Sequence, residues 1–132
     1  MKRSPALLKL SREHHTALVL ALRIARAADP DDLAELAGSV PVIFLEELEV
    51  HFQEEENGLL PKLAAAGASA LVARTLAEHS EMRHLVARIS TGDLLALKPF
   101  GDLLKAHVQF EERELFVTAE TILPANYLEQ HV

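Results

Sequence analysis

HFQEEENGLLP, residues 51–61, and HVQFEERELF, residues 107–116, are two versions of one pattern. Aligned on the histidine, they agree at the glutamine two places on, at the glutamates four and five places on, and at the leucine eight places on. Residues four apart stack on one face of a helix, so His51 projects with Glu55 and His107 with Glu111. Each pair continues an apolar stripe, made of Phe44, Leu45, Leu48 and Phe52 in the first segment and of Leu103, Leu104, Phe110 and Phe116 in the second. Both pairs are therefore expected to point inwards. One H-x-x-x-E is a weak signal, and a run such as Glu54-Glu55-Glu56 is usually a solvated face. The repetition is what calls for an explanation.

Proline and glycine punctuate the rest of the chain at helix-sized intervals. Ser4-Pro5 reads as an N-cap followed by proline at the first helical position, and Leu7, Leu10, His14, Leu18 and Ala21 follow at helical spacing. Asp29-Pro30 is expected to end this helix, with a short acidic connection after it. Ser39-Val40-Pro41 is expected to start the second helix, and Asn57-Gly58 with Pro61 to kink or fray it. Gly67-Ala68-Ser69 starts a third, carrying Val72, Leu76, His79, Met82, Leu85 and Val86, and Thr91-Gly92-Asp93 closes it. The fourth begins between Asp93 and Asp102. Long amphipathic helices on short connections predict an all-α, antiparallel, up-down-up-down four-helix bundle. The 132 residues predict one domain spanning 1–132.

Composition narrows the function. Hydrophobic residues make up 49% of the chain, enough for a core, and no apolar run reaches the roughly 20 residues of a membrane span. The start of the sequence has no long apolar stretch of the signal-peptide kind. With no cysteine there are no disulfides and no thiolate ligands, which fits a cytoplasmic setting. A net charge of −7 without a basic patch argues against nucleic acid.

His14 and His79 lie in the apolar stripes of the first and third helices. Together with the two repeated pairs they give six inward donors: His14, His51, Glu55, His79, His107 and Glu111. A lone histidine on an apolar face is more often a hydrogen-bonded core residue than a ligand. Buried carboxylates, however, cost several kcal/mol unless paired or metal-bound, and the simplest partner for this cluster is a cation. Carboxylates with imidazoles in a bundle core suit a pair of divalent metals, iron first, with manganese or zinc as substitutes. Adjacent His14 and His15 differ by about 100° around the axis, and the apolar stripe favours His14. Glu13, Glu78, Glu46 and Glu47 are candidates to hold the ligand imidazoles, and Glu56 and Glu112 read either as a solvated face or as groups of the same outer kind. Phe52, Phe110, Phe116, Leu48 and Met82 are expected to wall the site. His84 and His131 read as surface residues, and Leu59-Leu60 or Ile122-Leu123 as possible contacts of a homodimer, or equally as internal packing.

REHH at 12–15, HFQEE at 51–55, EHSEMR at 78–83 and HVQFEE at 107–112 resemble the hemerythrin family, specifically the bacterial hemerythrin-like or HHE cation-binding domains. The resemblance runs over nearly the whole chain. It implies a non-haem di-iron centre. The two glutamates would bridge the irons, histidines would cap them, and an open position would take dioxygen or a related diatomic. Carried over, His14, His51, Glu55, His79, His107 and Glu111 are the ligands. The oxygen-carrying members have two histidines one turn apart on the third helix, whereas here Arg83 follows His79 by four and His84 by five. One metal is then expected to be completed by water, Glu78 or Glu81. The leading expectation is a protein that binds a diatomic for storage, delivery or sensing, and no enzyme activity is read from the sequence. The alternatives are a di-iron redox enzyme or iron-supplying repair protein, and a helical interaction module without metal.

Overall fold

The computed structural model describes residues 3–124, and they are helical nearly throughout. Four rods account for them. Rod α1 is Pro5–Arg26. Rod α2 covers residues 30–65 without a break, and contains two π turns, Phe44–Leu48 and Glu55–Leu59. Rod α3 is Ser69–Ser90. A 3₁₀ turn, Leu94–Ala96, leads into α4, residues 97–122, which contains a third π turn at Glu111–Leu115. Among the described residues no helix is long and apolar enough to cross a membrane.

Two expectations about α2 are corrected. Asp29-Pro30 opens a helix rather than only closing one. The Asp29 carboxylate accepts the Asp32 backbone N–H at 2.8 Å, and Pro30 takes the first helical position, where its missing N–H costs nothing. The acidic stretch after it is therefore helical. Ser39-Val40-Pro41 then lies inside α2, and where Asn57-Gly58 and Pro61 are expected to kink or fray the rod it continues through a π turn. A π turn closes i→i+5 hydrogen bonds, so it carries one extra residue without leaving the helix. Such bonds run from the N–H of Glu49 to the Phe44 carbonyl and from the N–H of Leu60 to the Glu55 carbonyl.

The turns after α2 and α3 are built alike. Gly67 and Gly92 have φ of 99° and 95°, the left-handed region open to glycine. After Gly67, the Ala68 N–H reaches the Leu63 carbonyl at 2.9 Å, and after Gly92 the Asp93 N–H reaches Arg88 at 3.1 Å, the Schellman pattern of helix ends.

Ion pairs fix the directions of the rods. Lys9 meets Glu54 while Glu13 meets His51, and Glu56 meets His79 while Glu49 meets Arg83. Arg74 meets Glu114 while Glu78 meets His107, and Arg3 at the start of α1 meets Glu120 near the end of α4. In each case one index rises as the other falls, so neighbouring rods are antiparallel.

The core has two apolar layers with a polar layer between them. One layer holds Leu20, Ile24, Val40, Phe44, Phe52, Met82, Ile89, Phe100 and Leu104. The other holds Leu7, Leu10, Leu59, Leu63, Val72, Phe110, Leu115 and Phe116. The change of layer falls at His14 in α1 and at His79 in α3, between Phe52 and Leu59 in α2, and between Val108 and Phe110 in α4. Leu45 was placed on the inner stripe but is 68% exposed, and Leu18 and Leu76 also face outwards. Leu59 and Leu60 are buried in the chain's own core, so they offer no dimer contact, and Leu123 is buried with them. His131 lies outside the described residues.

Candidate metal centre

All six candidate residues meet in the polar layer. His14, His51, His79 and His107 are each at most 5% exposed, and Glu55 and Glu111 are at 0%. They form two overlapping groups: His14 and His51 with both glutamates, and His79 and His107 with the same two glutamates. Within each group the potential ligand atoms lie within 4.8 Å of one another.

Each carboxylate offers one oxygen to each half. Glu55 Oε2 lies 3.3 Å from His51 Nε2, and Glu55 Oε1 lies 3.1 Å from His79 Nε2. Glu111 Oε1 lies 2.8 Å from His14 Nε2, and Glu111 Oε2 lies 3.2 Å from His107 Nε2. The two halves are thus equivalent in donor type, with two imidazoles each and two shared carboxylates.

The polar atoms facing this centre are short of partners. Among the described residues, Nε2 of His51, His79 and His107, both oxygens of Glu55 and Oε2 of Glu111 are buried without a hydrogen bond. Buried polar groups are normally satisfied. Six unsatisfied ones converging on one point are a donor set that fits a cation.

The other ring nitrogen of every histidine is occupied. Nδ1 of His51 bonds Glu13 at 2.9 Å, His79 bonds Glu56 at 2.7 Å, His107 bonds Glu78 at 2.7 Å and His14 bonds Glu112 at 2.6 Å. A carboxylate can only accept here, so each Nδ1 carries a proton, and Nε2 is the nitrogen that faces the centre, on His14 with a bond of its own to Glu111 at 2.8 Å. The bonds close a ring around the bundle: α1 holds a histidine of α2, α2 one of α3, α3 one of α4, and α4 one of α1.

The sequence named Glu13 and Glu78 among its candidates for this task. Glu46 and Glu47, named with them, are exposed. Glu56 and Glu112 complete the set, and a signal for all four was present. Each holding glutamate sits next in sequence to a core residue of its own helix, in Glu13-His14, Glu55-Glu56, Glu78-His79 and Glu111-Glu112. One residue is about 100° of helix, which turns the second side chain from the core towards the neighbouring rod.

Arg83 does not approach the centre. It bonds Glu49 at 2.7 Å and Glu56 at 2.9 Å. Glu78 is committed to His107, and Glu81 and His84 are exposed, so none of the three completes the centre; His15 is exposed as well. Aromatic rings close the walls. Phe52 stacks on His79 with centroids 3.9 Å apart, and Phe116 lies parallel to His14 at 5.4 Å.

Without metal the electrostatics are those of trapped protons. Burial alone would lower His51, but Glu55, Glu111 and Glu13 outweigh it and raise its pKa to about 12. His107 is likewise raised to about 9 against burial, by Glu111 and Glu78. Burial and the neighbouring Glu111 charge push Glu55 up. Glu111 resists burial through His107, His14 and His51 and stays well below the ordinary carboxylate value. One core carboxylate is held ionised by imidazoles, while burial and the first carboxylate lift the other in spite of His51 and His79.

No curated protein and no solved structure matches the chain. The family model described as the Hemerythrin HHE cation binding domain matches residues 7–119, a span that contains the repeated segments, all four histidines and both core glutamates. With the match covering most of its length, the chain belongs to the hemerythrin HHE cation-binding family.

Proposed function

We propose that this protein holds two iron ions between the four rods and binds dioxygen or a related diatomic molecule beside them. His14 and His51 would hold one ion and His79 and His107 the other, with Glu55 and Glu111 shared. The observation that carries this reading is the division of the two carboxylates, whose oxygens serve opposite halves. Imidazole and carboxylate donors without thiolate suit iron and also admit manganese or zinc. Iron held this way would supply a redox-active Lewis acid with coordination positions left over for a small ligand.

The space beside the centre supports a small ligand. A cavity of about 10 Å³ lies against His14, His51 and His107, with Ala17, Leu48, Leu104 and Val108 as apolar wall. That is room for about one water-sized molecule, and it favours a diatomic over an organic substrate.

Elemental analysis of iron-loaded protein, with absorption spectra recorded under nitrogen and then oxygen, tests the reading. Two irons per chain and a visible spectrum that changes with oxygen are expected. His51→Ala and His107→Ala, one in each half, should each lower the iron content. A folded wild type that takes up no stoichiometric metal would leave only a helical module. The donor count favours a second reading, a redox enzyme or repair protein acting on oxygen, peroxide or nitric oxide. With Arg83 paired to glutamates, each ion would have two imidazoles and more open positions. Catalytic turnover, rather than reversible binding, would identify it.

A further inference from the structure

Beyond the ring of glutamates lies a ring of cations, which the proposed metal pair does not itself require. Glu112 is bonded by Arg3 at 3.1 Å, Glu13 by Lys9 at 3.1 Å, Glu78 by Arg74 at 3.1 Å and Glu56 by Arg83 at 2.9 Å. Each of the four rods thus carries one imidazole at the end of a chain running inwards from cation to carboxylate to ring. In three of the four the cation and the imidazole use opposite oxygens of the glutamate; on Glu56 the guanidinium of Arg83 bonds both oxygens and shares Oε2 with His79. Every cation is also tethered by a further acid: Arg3 by Glu120, Lys9 by Glu54, Arg74 by Glu114 and Arg83 by Glu49. Three of the cations lie over the aromatic ring beside their histidine. Arg83 is 5.7 Å from the Phe52 centroid, Arg74 is 3.9 Å from Phe110 and Arg3 is 5.6 Å from Phe116.

Ion pairs that keep contact with solvent, as these do, contribute little to stability. Four that repeat the same connection to a core imidazole, once per helix, point to a role other than stability. A carboxylate on Nδ1 raises the donor strength of the imidazole, and a cation on that carboxylate draws charge back from it. We propose that Arg3, Lys9, Arg74 and Arg83 are positioning residues that, through Glu112, Glu13, Glu78 and Glu56, set the donor strength of the four imidazoles and so the reduction potential of the metal pair. This rests on the dinuclear metal reading above.

The test is the midpoint potential of the full-length, iron-loaded chain, titrated anaerobically against redox dyes, with iron content measured on the same samples. Arg74→Gln and Arg83→Gln should lower the midpoint, because less positive charge and a freer carboxylate favour the more highly charged metal. Glu78→Gln should raise it, and Arg83→Lys should stay near wild type. Arg74 is half exposed, so its variant keeps the fold even if the loss of Arg83 strains α2. Opposite shifts for the cation and carboxylate variants are what a purely structural role would not produce. Full iron loading with unmoved midpoints, or shifts of the same sign in both classes, overturns this inference alone. Wild-type protein without iron overturns the metal reading and this inference with it.

Discussion

At the scale of single residues, Glu55 and Glu111 look interchangeable in sequence and are not so in energy. Glu111 accepts from His14 at 2.8 Å and lies near His51 and His107, whereas neither oxygen of Glu55 has a hydrogen bond. Glu111→Gln in metal-free protein should therefore cost about 3 kcal/mol, the size expected when one member of a buried charge network is removed. Glu55→Gln should cost less, since burial and the Glu111 charge already oppose the ionised carboxylate that it removes. Both should lose metal. Urea unfolding of the metal-free variants, followed by metal titration, reads the two effects apart. Equal destabilisation would show that Glu55 is already satisfied without a cation. The identity of the six core residues was legible because helical spacing alone aims them inwards. The partners of their Nδ1 atoms were only half legible, because each lies on another rod, and which rods are neighbours is a property of the bundle.

At the scale of elements, α1 and α4 pack so closely that one glycine is required for reasons of space. A Cβ on Gly101 would come within 2.8 Å of Ile24 Cγ2, and Ile24 is itself only 1% exposed. Gly101→Ala gains about 1 kcal/mol of helix propensity. The forced displacement of a branched, buried side chain, at about 1–3 kcal/mol, should exceed that gain. A net loss is expected in denaturant unfolding, partly recovered when Ile24→Ala is added. A more stable Gly101→Ala protein would mean that the rods separate freely. Nothing in the sequence alone sets Gly101 apart, since a close approach is invisible until the partner rod is known. The π turns were hidden for a related reason. The two in the repeated segments, Glu55–Leu59 and Glu111–Leu115, occupy equivalent places and each begins at a core glutamate. The segment after the first contains Pro61 and the equivalent place in the second is Val117, so proline does not cause the turn. Leu59-Leu60 and Leu115-Phe116, at the ends of these two turns, are all buried. Proline and glycine were read as breaks because they weaken a regular helix, and Pro41, Gly58 and Pro61 all fall within or near turns whose bonding is not regular.

At the scale of the whole molecule, protons and metal compete for one interior. His107 and His51 are raised from 6.5 to about 9 and about 12. A histidine with a raised folded pKa stabilises fully below its unfolded value and loses that contribution as pH rises through the folded one. Raising the pH also ionises Glu55, whose pKa is raised by burial and by Glu111, and this adds a cost of the same sign. Glu111 works in the other direction. It is held well below 4.5, so its contribution is present above that value and fades on acidification. Metal-free protein should thus be most stable at mildly acidic pH, between about 5 and 6.5, and weaken steadily towards pH 9. Metal needs neutral imidazoles and ionised carboxylates, so its binding releases those protons and strengthens with pH. Because a ligand that binds only the folded state adds stability according to its affinity, the gap between the thermal midpoints of loaded and metal-free protein should widen from pH 6 to pH 9. Thermal unfolding at several pH values, with and without added metal and with a chelator as control, measures that gap. A gap that narrows as pH rises would mean that the buried histidines and carboxylates are not the groups from which metal displaces protons.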